Sequence, residues 1–178
     1  MMEHQNNLRP FAQVMVWITS FAAVALPVLT IMIWIYIKDL GVSSGTVSPQ
    51  YDLTSLSLTA RLLGFVICFI GAGIMTYGLL ALRRTFQEAA AGRGLSLTAV
   101  VNFRRFALVT LITVFYGILQ NTLLSIVFTM GRPGQETQLS IMLGTPEVKA
   151  LFTALLFVFV AHIFAAGRKA EEENAQFL

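Results

Sequence analysis

The sequence predicts an all-α fold, a four-helix transmembrane bundle with both termini cytoplasmic, and three observations carry that reading. Hydrophobic residues make up 56% of the 178-residue chain and charged residues 12%, about half the charge usage of soluble domains. The charges bound four uncharged runs: 28 residues between Arg9 and Lys38, 21 between Arg61 and Arg83, 26 between Arg105 and Arg132, and 18 between Lys149 and Arg168. Each run is long enough for a hydrocarbon core about 30 Å thick, which takes roughly 20 helical residues. The third observation is sidedness. Arg9, Arg83, Arg84, Arg93, Arg104, Arg105, Arg168 and Lys169 would flank one side of the membrane, against Lys38, Arg61, Arg132 and Lys149 on the other. Cytoplasmic flanks keep the Lys and Arg excess, so both ends and the middle loop are expected inside.

One integral membrane domain follows, with spans at about 11–37, 61–82, 106–130 and 148–167, a cytoplasmic loop 83–105 and a cytoplasmic tail 168–178. The first run is longer than a signal-peptide core and lacks a convincing small-residue cleavage site before Lys38, so it is expected to be retained. Pro27 removes a backbone donor in mid-run and predicts a kink, while Trp17, Trp34 and Tyr36 near the two ends suit interfacial anchoring. Lys38 to Ala60, rich in Ser, Thr and Gly, reads as an irregular outer loop.

In the second run Gly64, Gly71 and Gly78 recur every seven residues and share one narrow helical stripe. Small residues let membrane helices approach closely, so the stripe serves either internal packing or a homo-oligomer seam. Leu82 to Ala91 should carry this helix beyond the bilayer until Gly92 and Gly94 end it, and Ser96 or Thr98 can cap the next. The third run has the most polar face, with Thr110, Thr113, Gly117, Asn121 and Ser125 at three- or four-residue steps and Tyr116 and Gln120 alongside. Gly117 and Asn121 are expected at helix contacts, since an amide in lipid needs a partner.

Gly131-Arg132-Pro133-Gly134 is a turn signal, and Thr137 to Leu143 alternates as a short strand would. Thr145-Pro146-Glu147 then starts the last helix, with Thr145 as the expected cap. In the tail, Arg168 and Lys169 stand four residues before Glu172 and Glu173.

Signals for catalysis are lacking. The single Cys68 excludes a disulfide framework, no charged residue interrupts a run, and no nucleophile elbow, phosphate-binding loop or metal-ligating His pair occurs. Ser43, Ser44 and Ser48 have no nearby base. His162, the one histidine inside a run, is a weak cofactor candidate, because haem held by two histidines needs a second and His4 lies outside the first run. Methionine ligation of iron remains open. A haem- or quinone-linked redox protein, with His162, Tyr116 and Asn121 converging, is the rival class, and a small-molecule channel ranks below it. The leading expectation is a non-enzymatic regulatory or accessory subunit without a cofactor. Arg83, Arg84, Arg93, Arg104 and Arg105 would meet acidic protein or anionic lipid, and Glu171, Glu172 and Glu173 a basic surface. Although the pI is near 9.4, the basic residues flank apolar runs rather than forming a stripe, so direct nucleic-acid binding is not expected.

Four spans, Leu82-Arg83-Arg84-Thr85-Phe86 followed by Gly92 and Leu95-Ser96, the outer Gln138-Leu139-Ser140-Ile141 and the tail Ala170-Glu171-Glu172-Glu173-Asn174 together resemble the small bacterial membrane proteins grouped as domain of unknown function 2975. The resemblance spans most of the chain through short motifs, is strongest in the Glu-rich tail and weakest in the outer loops. It implies a multi-pass protein of the bacterial inner membrane with no established catalytic residues. It also implies association with a small helix-turn-helix regulator, while a larger membrane complex is the other partner class.

Overall fold

A computed structural model describes residues 2–36, 57–129 and 144–175, with side chains described for 9–36, 57–128 and 144–174. These residues form four helices, α1 (Met2–Ile35), α2 (Leu58–Ala90), α3 (Leu97–Thr129) and α4 (Thr145–Ala175), and no strand among the described residues. The expected strand from Thr137 to Leu143, and the turn before it, lie outside the described residues. All four helices are long and apolar enough to cross a membrane, and only 11–17% of the most apolar stretch in each is buried by the chain itself. Lipid or other protein must cover the rest. The chain is a multi-pass helical membrane protein.

Local chemistry sets the helix ends. At the start of α2 the Ser57 hydroxyl accepts the Ala60 N–H at 3.2 Å, so Leu58–Ala60 join the helix instead of the irregular loop expected there. The other end closes in a Schellman arrangement: Gly92 N–H donates to Ala89 and Arg93 N–H to Glu88, with Gly92 at a φ of +77° that favours glycine. Ser96, rather than Thr98, caps α3 by accepting the Ala99 N–H at 3.1 Å. The cap of α4 corrects the sequence expectation. Gly144 precedes the first helical residue, Thr145, and the Glu147 carboxylate reaches back to accept the Gly144 N–H at 2.8 Å. That is the return half of a capping box, and Thr145 is already inside the helix.

Within the spans, most Thr and Ser hydroxyls are satisfied by carbonyls one turn earlier, as with Ser20 to Val16 and Thr30 to Leu26, whereas the buried Thr76 hydroxyl has no partner among the described residues. This is the economical solution where water is absent. Pro27 sits inside α1 without ending it, and its missing N–H leaves the Ala23 carbonyl without its usual helical donor.

Among the described residues the backbone of each helix lies close only to its neighbours in sequence: α1 to α2, α2 to α3 and α3 to α4. The bundle is therefore an open row, in which no Cα of α1 comes within 8 Å of α4 among the described residues. Small side chains form the α3–α4 seam, where Ala154 and Ala161 are fully or almost fully buried. Two tilted ring pairs close it, Phe103–Phe164 at 5.1 Å and Phe106–Phe157 at 5.3 Å. Far from the Arg-rich end, Trp34, Ala60, Val127 and Phe128 form a buried cluster. Trp34 thus departs from the interfacial role expected of it, whereas Trp17 and Tyr36 are exposed. The Arg61 guanidinium donates to the Trp34 carbonyl at 3.0 Å, one of the carbonyls that the last turn of α1 leaves without a helical donor.

Candidate functional site

The Arg-rich end is organised by Glu88. Its carboxylate lies 3.2 Å from the Arg93 guanidinium and accepts the Ser96 hydroxyl at 3.0 Å. One acidic side chain on α2 therefore fixes both the elbow and the cap of α3. Behind it, the buried Thr85 hydroxyl contacts the Ala81 and Ala99 carbonyls at 3.3 Å each and joins the helical extensions of α2 and α3. Arg168 at the end of α4 donates to the Leu95 carbonyl at 3.1 Å and pairs with Glu172. The Arg9 guanidinium of α1 lies against Gly92. The elbow between α2 and α3 and residues of α1, α2 and α4 thus converge around a cavity of about 750 Å³, whose lining includes Phe11, Phe86, Leu95, Arg93, Arg168 and Glu171.

The sequence-derived charges divide in two. Arg93 and Glu172 are engaged in ion pairs, and Glu173 lies 3.8 Å from Lys169. Arg84, Arg104 and Arg105 are exposed away from the cavity lining, Glu171 is exposed at its wall, and half-buried Arg83 keeps its Nε without a partner among the described residues. Loop and tail share one end, but only Arg93, Glu171 and Glu172 of the named charges line its cavity.

The glycine stripe of α2 is occupied within the chain. Trp34 covers Gly64; a Cβ at Gly71 would lie 2.6 Å from Gln120 Oε1, and one at Gly78 would lie 2.9 Å from Val109 Cγ1. The stripe receives α1 at one end and α3 along the rest. On α3 the polar residues separate. Tyr116 donates its hydroxyl proton to the Ile67 carbonyl at 2.7 Å, and the Gln120 amide reaches the Cys68 sulfur at 3.7 Å. These two face α2. Gly117 meets nothing within 4 Å of a built Cβ, and Asn121 is exposed. Both border a groove of about 460 Å³ between α3 and α4, with Thr113, Glu147 and Thr153.

His162 is exposed on α4, with Nδ1 2.8 Å from the Val158 carbonyl. The structure does not bring it together with Tyr116, which turns to α2, or with Asn121 in the α3–α4 groove. Among the described residues no three His, Cys, Asp or Glu side chains gather as a metal site.

Sequence reasoning missed Glu88 and Arg168 as organisers, and it missed the intramembrane set of Trp34, Cys68 and Gln120. The spacing of Glu88 and Ser96 across a glycine elbow was an available signal. The meeting of Gln120 with Cys68 was not, because it joins two helices 52 positions apart. Comparison with family models, with curated proteins and with solved structures finds no match.

Proposed function

We propose that the chain is a non-enzymatic regulatory or accessory subunit of a bacterial inner membrane, with both ends and Arg83–Arg105 in the cytoplasm, that binds another protein through its cytoplasmic loop and tail. The observation that supports this most is the division of charges at one end. Glu88, Arg93, Arg168 and Glu172 are used internally to hold elbow and tail together, while Arg84, Arg104 and Arg105 stay exposed beside them. Internal pairs rigidify the platform; the exposed cations are free to meet an acidic surface. The likeness to domain of unknown function 2975 favours a helix-turn-helix regulator as that partner, with a larger membrane complex as the other class.

Affinity capture from bacterial membranes, with the parent compared to a triple Gln variant at Arg84, Arg104 and Arg105, tests the reading. A protein recovered with the parent and lost from the variant, at equal membrane levels of both, is expected. Unchanged recovery rejects this contact surface, and recovery of nothing by the parent rejects the accessory role.

A further inference from the structure

A second cleft, independent of the cytoplasmic reading, opens inside the membrane-spanning region between α1, α2 and α3. It has a volume of about 340 Å³, and Thr30, Trp34, Cys68, Gly71, Gln120 and Phe128 are among its walls. Its floor is α2, and its two sides are α1 and α3, whose described residues keep their Cα atoms more than 8 Å apart. Trp34 and Phe128 close one end as buried members of the same cluster. The volume is at the small end of the range for small-molecule sites, roughly 300–1,000 Å³. That admits a ring with a short substituent and excludes another helix or a whole phospholipid.

The wall chemistry narrows the occupant further. No ionisable Asp, Glu, Lys, Arg or His lines the cleft, and an ion placed there would be desolvated without a counter-charge. The guest is therefore neutral. Thr30 donates its proton to the Leu26 carbonyl, and the Gln120 oxygen rests against Gly71. The Gln120 amide N–H and the Trp34 indole N–H are thus the donors of the cleft, and both are turned to the Cys68 thiol, whose sulfur lies 3.7 Å from the Gln120 nitrogen. Sulfur is a weak acceptor, so a carbonyl oxygen entering the cleft would replace a poor bond with a good one in a water-free setting.

We propose that this cleft binds a neutral, lipid-soluble cyclic carbonyl compound of the quinone type, with a ring carbonyl accepting from Gln120 and the ring lying beside Trp34 over Gly71 and Ala72. Binding alone is meant, with no electron transfer.

Duroquinone is a suitable probe, because its fully substituted ring resists thiol addition. In detergent-solubilised full-length Trp17→Phe protein, Trp34 is the remaining tryptophan, and its fluorescence should fall saturably as duroquinone is added. Gln120→Leu should weaken that binding roughly three- to tenfold, the worth of one hydrogen bond, and Ala72→Phe, which fills the cleft, should abolish it. In the protein without cavity substitutions, saturating duroquinone should slow N-ethylmaleimide modification of Cys68 at least fivefold, a readout that stands even if Ala72→Phe fails to fold. Quenching that rises linearly without saturation, or an unchanged Cys68 rate, overturns the proposal. Saturable quenching by a phosphatidylcholine with brominated acyl chains, with none by duroquinone, also overturns it by assigning the cleft to a lipid tail.

Discussion

Gly78 on α2 and Gly117 on α3 stand in similar sequence settings, a small residue within an uncharged run, yet their surroundings are opposite. Gly78 is buried and lies against Val109 and Phe106, whereas a side chain at Gly117 would meet open space beside the α3–α4 groove. A small residue in a span permits close approach; only a neighbour with a side chain aimed at it makes the approach happen. The α2–α3 pairing has such side chains in Val109, Tyr116 and Gln120. At Gly117 α4 supplies none, and its own close contacts fall instead at Ala154 and Ala161.

The contrast is broken most severely by adding volume. Gly78→Leu should destabilise the protein in detergent by about 1–3 kcal/mol, the usual cost of overpacking, whereas Gly117→Leu should change it by less than ~0.5 kcal/mol. Thermal unfolding followed by circular dichroism would compare the two, and equal losses would remove the distinction. Next in size is Glu88→Ala, which deletes the partner of both Arg93 and Ser96; a loss of about 1 kcal/mol is expected, together with faster proteolysis at the elbow. Thr85→Val should cost somewhat less, ~0.5–1 kcal/mol, because both of its contacts are long. The smallest effect is expected at Asn121→Leu. Its exposed amide has no partner among the described residues, so the change in monomer stability should stay within a few tenths of a kcal/mol. A large loss there, dependent on protein concentration, would instead reveal a second copy over the groove.

The four spans were legible because charge is costly in hydrocarbon and so marks the run boundaries directly. Gly92 was legible as the end of α2, since one residue's left-handed backbone decides it. The α4 cap was half legible: Glu147 contributes as expected, but through the Gly144 N–H rather than beside a Thr145 cap. Trp34 was misread for a different reason. Aromatic residues near a span end suit both the interface and a core, and the choice rests on Gly64 being opposite, a fact held by another helix. The same limit applies to the candidate sites. Composition placed the arginines at one end, but which of them are consumed by Glu88 and which stay exposed depends on side-chain geometry across the elbow. The intramembrane cleft depends on α1 and α3 standing apart, which no local pattern encodes.

The account rests most heavily on which side of the membrane the Arg-rich elbow occupies. Single cysteines at Ser44, Gly94 and Gln135 in a Cys68→Ser background, exposed to an impermeant thiol reagent in intact cells, measure this directly. Gly94 tolerates the change, since an added Cβ meets nothing within 4 Å. The account predicts labelling at positions 44 and 135 in intact cells, and at position 94 only after the membrane is permeabilised. Labelling at position 94 in intact cells, or none at both of the others, contradicts it.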